Sequence, residues 1–214
     1  MSQLGQDRGL IRMDVFEAME TTRAMRRLDP GRGVSNEDVR RILDAAGRAA
    51  NGGNRQPLRW IVVRDPALRR ALGDLYREVS RELAGPGATL PPESDRSPGA
   101  RMARSMEHLV DHFGDAPVVI LACASGDPGR IEASVYPAVQ NLMLAARACG
   151  LGTTLTLRLR GRSDAIRSLL DIPEDVELFA AIPLGHPLGK WGRAPRRPVE
   201  EVTYADRWGR AFTR

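Results

Sequence analysis

The sequence predicts an α+β domain in which helices cover a mixed or antiparallel sheet. The 214 residues are a usual length for one domain. Segments with the apolar spacing of helices alternate with apolar segments of strand length, and most of the latter are short. We expect residues 1–12 to form a flexible N-terminal segment and residues 13–209 to form the single domain.

Six helices are predicted from apolar periodicity and from start and stop signals. The first begins near Asp14 and runs toward Met25, and Ser35 caps the second, with Asp38 at the capping-box position. The others are expected from residue 65, from residue 100, over residues 131–149 and over residues 163–170. Residues 131–149 are apolar nearly all round, so that helix should lie at the centre of the molecule.

Four buried strands are predicted, at residues 60–63, 118–122, 153–157 and 177–184. Residues 85–99 contain four prolines and three glycines, which indicates a mobile loop or lid. From residue 186 the chain is rich in Pro, Gly and Arg and has little periodicity. Residues 186–214 should therefore form a tail that wraps over another surface, where Trp191 and Trp208 can be buried.

The composition argues against several classes of protein. No apolar run approaches the roughly 18 residues of a spanning helix, so we expect no membrane association. The first twelve residues lack the apolar core of a secretory signal, and we expect a cytoplasmic location. Two cysteines, Cys123 and Cys149, are too few for a disulfide scaffold or a tetrathiolate metal site.

The basic residues are the unusual part of the composition. There are 32 Lys and Arg against 27 Asp and Glu, a net charge of +5, and Lys190 is the single lysine. Such a chain could bind nucleic acid or a phosphate-bearing ligand, or could reflect only the base composition of its gene. The arginines are spread from Arg8 to Arg214 and aromatic residues are only 5%, so we expect no nucleic-acid partner.

Two groups of residues are candidates for ligand binding. Arg23, Arg26 and Arg27 lie close together near the predicted end of the first helix. Guanidinium groups bind phosphate oxygens bidentately, so these residues could form a phosphate clamp, or they could be a solvated basic helix end. Residues 51–57 form a loop whose amides and free N–H groups suit a planar heterocycle such as flavin or purine. A tight turn between a helix and a strand accounts for the same residues.

Other patterns do not point to catalysis. Residues 150–152 read Gly-Leu-Gly, but a helix precedes them, whereas a dinucleotide fingerprint follows a strand, so a helix C-cap accounts for the glycines. His108 and His112 are four residues apart without the usual zinc signature, so we expect them to face solvent and to bind no metal. No Ser or Cys lies in a nucleophile-elbow context, and we name no catalytic residue.

Four segments, in their order along the chain, resemble the signatures of the FMN-dependent nitroreductase family. Residues 22–28 stand where the family pattern is R-R-S-x-R-x-F, and residues 49–58 match A-P-S-x-x-N-x-Q-P-W before a strand. Residues 140–152 match Q-N-L-x-L-A-A-x-x-x-G-L-G. Residues 182–187 and 196–201 resemble a late P-x-G-x-P strand end and an arginine–proline tail. The resemblance spans the whole predicted domain.

The resemblance implies a nitroreductase-like fold: a homodimer with extensive helix exchange, two FMN sites at the interface and a tail that wraps the partner subunit. The arginine motif would bind the phosphate and ribityl oxygens, and the loop after residue 50 would meet the flavin, in some members from the partner subunit. The segment after Gly152 would lie beside the isoalloxazine ring, with a backbone N–H near N5, and a tail arginine would close over the phosphate. The implied cofactor-binding residues are Arg23, Ala24, Arg26, Arg27, Asn51, Gly52, Asn54, Gln56, Thr154, Leu155, Thr156 and Arg196.

The chain departs from these signatures at positions that bear on FMN binding. Ala24 replaces the usual Ser and lacks its hydroxyl donor to the phosphate. The other replacements are Thr22 for Arg, Ala50 for Pro, Asn51 for Ser and Leu58 for Trp. These changes alter the set of donors that the family usually presents to FMN.

The implied activity is that of an NAD(P)H-dependent FMN oxidoreductase. NADH or NADPH would deliver hydride to flavin N5 and leave, and a nitroaromatic, a quinone or a related electron-poor small molecule would then be reduced in a ping-pong cycle. This chemistry requires no side-chain acid or base. The alternatives are a relative that dehalogenates aromatic rings or modifies flavin, and a dimer that binds or stores flavin without nicotinamide turnover.

Overall fold

A computed structural model describes residues 13–212 of the chain. Its strands are β1 (Leu58–Val63), β2 (Val118–Ser125), β3 (Gly152–Thr153) and β4 (Val176–Gly185). Its α-helices are α1 (Val15–Thr21), α2 (Asn36–Gly47), α3 (Pro66–Ala84), α4 (Pro98–His112), α5 (Pro128–Ala148) and α6 (Ser163–Leu170). The strands pair antiparallel throughout, in the order β1-β2-β4-β3, which confirms the α+β class. The expectation for residues 1–12 lies outside the described residues.

Capping residues set where the helices begin. The hydroxyl of Ser35 accepts the N–H of Asp38 at 3.0 Å, as the sequence predicted. The side chains that cap other helices in the same way are those of Asp14, Asp65, Ser97 and Asp127. Ser163 does not cap α6 as predicted, because it is the first residue of that helix and its hydroxyl donates to the carbonyl of Arg160.

The first helix is shorter than predicted. It ends at Thr21, where the hydroxyl of Thr22 donates to the carbonyl of Ala18 at 2.6 Å and the backbone of Thr22 becomes extended. The arginine group that follows therefore lies on extended chain. The alternative that these arginines are the solvated basic end of a helix is therefore wrong.

The sheet separates two apolar layers. Ile120 and Ala122 of β2 pack with α2 and α5, whereas Val119 and Leu121 pack with α3, α4 and α6, because successive side chains of a strand point to opposite faces. All four side chains are fully buried. The sheet is therefore covered on both faces, and its polar ends and edges are the places where a site can open.

Helix α5 covers one face of the sheet and does not lie at the centre. Val135 and Val139 are fully buried against the sheet. Ala133, Pro137 and Gln140, which recur with helical spacing, are exposed in the single chain. The prediction that this helix is surrounded on all sides is wrong for one chain alone.

The predicted strand at residues 153–157 is mostly irregular. Only Gly152–Thr153 pairs regularly with β4, and Thr156 makes one further bridge, to Ala181. Between these points the hydroxyl of Thr154 donates to the carbonyl of Met25 at 2.9 Å. The segment therefore bonds to the chain around Met25 as well as to the sheet, which interrupts the regular ladder.

Residues 85–97 contain no helix or strand. Helix α4 begins at Pro98, so the loop predicted at residues 85–99 is two residues too long. The guanidinium of Arg104 donates to the carbonyls of Pro92 and Asp95, at 3.0 and 2.7 Å, and ties the loop to α4. The mobility of this loop stays a prediction.

The tail after β4 first returns along the chain that carries the arginines. The N–H of Leu188 donates to the carbonyl of Arg27 at 3.0 Å, and Trp191 lies under the guanidinium of Arg147 at 4.4 Å. Trp208, in contrast, is 90% exposed, so the chain itself does not bury both tryptophans. Within residues 13–212, no helix has the length and apolar character needed to cross a membrane.

Candidate functional site

The arginine segment, residues 22–28, is extended chain fixed along β3. The N–H of Met25 donates to the carbonyl of Thr153 at 2.9 Å, and the hydroxyl of Thr154 returns a bond to the carbonyl of Met25. On its other side the segment bonds to the tail through Leu188. The backbone is therefore held at both edges, while the arginine side chains remain free to bind.

Glycine at position 152 allows this close approach. A Cβ placed on Gly152 would lie 2.7 Å from the Cβ of Met25 and 3.1 Å from a methyl group of Leu28. Real Cβ atoms do not approach that closely, so any side chain there would push the arginine segment away. The second glycine of the Gly-Leu-Gly pattern thus has a packing role that a helix C-cap does not explain.

The arginines of the segment are without acidic partners. Arg23 and Arg27 are exposed and Arg26 is half-buried, and no ion pair within residues 13–212 involves any of them. Burial lowers the pKa of Arg26, an effect that Tyr76 opposes and that the charge of Arg23 adds to. A half-buried guanidinium without a counter-charge is unfavourable alone, so the segment suits an anionic ligand.

Arg26 lines a cavity of about 190 Å³ between the arginine segment, the C-terminal end of α4 and the end of β4. Most of the lining is apolar, and its other members are Leu28, Pro30, His108, Leu109, His112, Asp115, Ala116, Pro183 and Leu188. We call it the Arg26 cavity. It joins a cationic donor to an apolar wall, which is the combination that binds a planar ligand with one polar edge.

The two histidines of α4 belong to this cavity. Their rings lie 4.3 Å apart, and Nδ1 of His112 is 2.7 Å from Oδ2 of Asp115. Burial lowers the pKa of His108, and the neighbouring His112 and Arg27 lower it further. The expectation of a purely solvent-facing pair is therefore wrong. Among the described residues, no group of three His, Cys, Asp or Glu side chains could hold a metal ion.

A second cluster lies at the far end of residues 152–156. The phenol of Tyr76, 4% exposed on α3, is 3.5 Å from the hydroxyl of Thr156, which also accepts the N–H of Arg158 at 3.3 Å. The guanidinium of Arg158 lies over the Tyr76 ring at 5.9 Å, and the ring of Phe113 stacks on that of Tyr76 at 4.4 Å. We call Tyr76, Thr156 and Arg158 the Tyr76 cluster. Of these residues, sequence reasoning found only Thr156.

Leu155 and Ala24 contribute backbone rather than polar side chains. Leu155 is partly buried against the layer of α2 and α5, between the buried Thr154 and Thr156. Ala24 is exposed in the arginine segment next to Arg23. Leu155 therefore lies on the segment after Gly152 and Ala24 on the arginine segment, and these two segments are hydrogen-bonded to each other.

Arg196 lies on the tail beside the start of the arginine segment. It lines a shallow cleft of about 170 Å³ together with Thr22, Glu20 and Arg193. Arg193 is paired with Glu20 at 2.5 Å, whereas within residues 13–212 the guanidinium of Arg196 donates only to the carbonyl of its neighbour Pro195, at 2.9 Å. The tail therefore brings two exposed arginines to this end of the segment, and of these Arg196 forms no ion pair there.

The loop at residues 51–57 is held by its own amides. Oδ1 of Asn51 accepts the N–H of Gln56 at 2.9 Å, and Oδ1 of Asn54 accepts from Nε2 of Gln56 at 3.3 Å. The N–H of Gly52 donates to the hydroxyl of Ser134 on α5 at 3.1 Å. These bonds shape one wall of a separate cavity of about 170 Å³, whose members include Asn51, Gln56, Trp60 and Ser134.

The structure does not bring this loop to the arginine segment. The loop leads into β1 at Leu58, which pairs through β2 with the start of β4, whereas Gly152 pairs with Gly185 at the end of β4. The two places lie on opposite edges and at opposite ends of the sheet. Standard strand dimensions put Leu58 and Gly152 roughly 30 Å apart, too far for both groups of one chain to contact the same ring.

The chain is similar in sequence to known proteins. A sequence model described as the nitroreductase family matches residues 19–186. A protein of Methanothermobacter thermautotrophicus, provisionally named an NADH dehydrogenase/NAD(P)H nitroreductase, is 31% identical over 182 residues, which are 82% of this chain and 78% of the relative. The FMN reductase [NAD(P)H] of Bacillus subtilis is 25% identical over 178 residues, 81% of this chain and 66% of that protein.

Solved structures show the same fold. A Sphingopyxis nitroreductase described as FMN- and NADPH-dependent is 23% identical, covers 92% of this chain and all of its own, and superposes with a TM-score of 0.71. An iodotyrosine deiodinase bound to FMN and 3-iodo-L-tyrosine is 21% identical, covers 86% of this chain and 96% of its own, and gives 0.70.

Proposed function

The chain belongs to the nitroreductase family, and on that premise we propose that it is an NAD(P)H-dependent oxidoreductase that binds FMN and reduces electron-poor small molecules. The observation that carries the proposal is the arginine segment. It places three arginines without acidic partners, one of them half-buried, along the bonded segment after Gly152. A site built in this way has the charge and shape to hold a phosphorylated planar ligand.

The residues present fit FMN. Arg23, Arg27 and Arg196 would bind the phosphate, because all three are exposed and Arg196 lies beside Thr22 at the start of the segment. Arg26 would bind a polar edge of the ring system from its half-buried position. Ala24 supplies no hydroxyl, so in this chain the phosphate would depend on guanidinium groups more than on side-chain hydroxyls.

When bound, FMN would supply the redox chemistry, a hydride transfer from NADH or NADPH to the acceptor. The chain positions and shields it. Residues 154–156 would lie along the ring, where the buried Thr154 and Thr156 are fixed by bonds to Met25 and Ala181. Arg26 would offer positive charge to the ring, and the apolar lining of the Arg26 cavity would exclude water from it. No side-chain acid or base is required of the protein.

We further propose that the functional unit is a homodimer, with loop 51–57 of one copy meeting the flavin held by the other. The distance between that loop and the arginine segment within one chain supports this arrangement. Exposed apolar residues also support it: Phe16 on α1 is 70% exposed, Trp208 on the tail is 90% exposed, and the outer side of α5 is uncovered. A partner that buried these surfaces would complete the site and anchor the tail.

The acceptors that we propose are nitroaromatics and quinones, used in the cytoplasm, where nicotinamide cofactors are reduced. The test is the visible spectrum of the purified protein without oxygen. We expect a flavin spectrum that bleaches with NADPH or NADH and returns when a nitroaromatic or a quinone is added.

Two results would contradict the proposal in different ways. Protein that is colourless and takes up no FMN when supplied would exclude the flavin site. Flavin that binds but stays oxidised with both nicotinamides would instead indicate a dimer that stores or delivers flavin.

A further inference from the structure

Three arginines at alternate positions follow the segment beside the proposed flavin site, and they differ in their partners. Arg160 pairs with Glu132 at 3.2 Å, and Arg162 pairs with Glu82 and, at 3.8 Å, with Glu78. No ion pair within residues 13–212 involves Arg158, and its guanidinium makes no hydrogen bond there. Arg158 is therefore the member of this run whose charge is not already used.

The position of Arg158 leaves its donors free for a ligand. Its guanidinium carbon lies over the Tyr76 ring, 5.9 Å from the ring centre, within the range of a cation–π contact. None of its five guanidinium N–H donors bonds to an acceptor within residues 13–212, so they are available for a bidentate bond to an anion. Phe113 stacks on Tyr76, and the hydroxyl of Thr156 accepts the backbone N–H of Arg158, so the side chain starts from a fixed point.

Arg158 also lies at the end of the site where the reaction would occur. The phosphate of FMN is assigned to the arginine segment and Arg196, beside Thr22, whereas residues 154–156 are assigned to the ring. Arg158 follows Thr156 by two residues along that second segment, so it belongs to the end of the site assigned to the ring and not to the end assigned to the phosphate. Arg23, Arg27 and Arg196 already offer three guanidinium groups to the phosphate dianion, so it does not require Arg158 as a fourth.

From this arrangement we infer that Arg158, whose guanidinium lies over Tyr76, binds an anionic group of the acceptor, and that the preferred acceptors are carboxylate-bearing aromatic compounds. This inference rests on the proposed function, since it needs a flavin beside residues 154–156. Carboxylate is favoured because its two oxygens match the edge of a guanidinium. The phosphates of the nicotinamide cofactor present similar chemistry, so the test separates the two sources.

The experiment compares 4-nitrobenzoate with the neutral 4-nitrobenzamide as acceptors of the FMN-loaded protein. In a ping-pong cycle kcat/KM for the acceptor reports only the reoxidation half-reaction, so the nicotinamide does not enter. We expect Arg158→Gln to lower kcat/KM for nitrobenzoate about tenfold and to change the value for nitrobenzamide less than about twofold. Arg158→Lys keeps the positive charge but lacks the paired N–H donors of a guanidinium, so it should recover part of the lost kcat/KM for nitrobenzoate.

The matched control is Arg160→Gln, which removes an arginine two residues away that is already paired with Glu132. It should leave unchanged the ratio of kcat/KM for nitrobenzoate to kcat/KM for nitrobenzamide. A second measurement does not depend on turnover: non-reducible benzoate should perturb the spectrum of the bound oxidised flavin, and Arg158→Gln should weaken that binding about tenfold while benzamide is unaffected.

Several outcomes would overturn the inference. Equal losses for both acceptors would mean that Arg158 acts on the flavin or on the fold, and a loss confined to kcat/KM for NADPH would assign it to the nicotinamide phosphate. No change in either acceptor would exclude the role altogether. Failure of the proposed function is distinguishable, because wild-type protein would then bind no FMN or reduce neither acceptor.

Discussion

The backbone N–H of Met25 donates to the carbonyl of Thr153 at 2.9 Å, and this bond fixes the arginine segment on the last strand of the sheet. The contact exists because residue 152 has no side chain. The position of the proposed cofactor site therefore depends on a glycine that touches no ligand.

The first prediction concerns that glycine. Gly152→Ala would place a Cβ 2.7 Å from the Cβ of Met25, an atom tied to the backbone, so the arginine segment must move. We expect the free energy of unfolding to fall by about 1–3 kcal/mol and FMN affinity to fall as well. Urea unfolding and FMN titration measure the two effects. Gly192→Ala is the control, because a Cβ there meets nothing within 4 Å. A Gly152→Ala protein with wild-type affinity for FMN would contradict the role given to the contact.

The second prediction concerns Arg26. Its guanidinium is half-buried in the Arg26 cavity, and that burial lowers its pKa. Charges interact more strongly away from water, so the anionic or polar edge of a ligand should bind more tightly to Arg26 than to an exposed arginine. We expect Arg26→Gln to weaken FMN binding about 10- to 100-fold, measured by the quenching of flavin fluorescence. Arg32→Gln removes an exposed arginine from the adjoining turn and should change the affinity little. Equal effects of the two variants would indicate only general charge attraction.

The sequence predicted the elements that depend on local signals. Ser35 caps α2 as expected, and the apolar segments at residues 118–122 and 177–184 are strands of the sheet. Local signals failed where distant parts of the chain decide the conformation. The first helix ends at Thr21 because the following residues bond to β3 and the tail. The pairing with β4 is interrupted after Thr153, because Thr154 bonds to Met25, and returns as a single bridge at Thr156.

The site was only partly visible in the sequence for the same reason. The arginine motif and the residues after Gly152 could be found because they match family signatures and stand along the chain in the order of those signatures. His108 and Tyr76 lie on helices whose apolar spacing describes only the core, so nothing local shows that one lines the Arg26 cavity and the other supports Arg158. Arg158 resembles Arg160 in sequence, and only the folded chain distinguishes them, because Arg160 pairs with Glu132 whereas Arg158 lies over Tyr76.

The third prediction concerns pH. Burial, His112 and Arg27 lower the pKa of His108, against the opposing charges of Asp111 and Asp115. The unfolded chain, in which an imidazole titrates near 6.5, then binds a proton more readily than the folded chain. Stability contributed by neutral His108 is therefore present above about pH 6.5 and falls as the pH drops toward the lower folded value. We expect the melting temperature of His108→Gln to fall less than that of the wild type between about pH 7.5 and 5.

The control for this measurement is His186→Gln, which removes a histidine from another part of the chain. It should keep the part of the pH dependence that is due to His108, since His108 and its neighbours are unchanged in this variant. Parallel curves for the wild type and His108→Gln would show that the imidazole gains no proton on unfolding, and would contradict its placement in the Arg26 cavity.

The fourth prediction tests whether one flavin site uses two copies of the chain. Arg26→Gln damages the arginine segment, and Asn51→Ala removes the oxygen that holds the N–H of Gln56 in loop 51–57. Each homodimer should lose activity. A heterodimer with one variant on each copy should recover it, because one of its two sites then combines Arg26 and Asn51 from the unaltered halves.

That recovery should reach about half the activity of a wild-type dimer, since a twofold dimer has two equivalent sites. Differently tagged copies allow the heterodimer to be purified and its turnover and FMN content measured. Pairing the double variant, Arg26→Gln with Asn51→Ala, against a wild-type copy is the matched control, because every shared site then contains one damaged half and should fail. The opposite result is expected if each site is built within one chain. The double variant paired with a wild-type copy would then keep one intact site, and the dimer of the two single variants would have none.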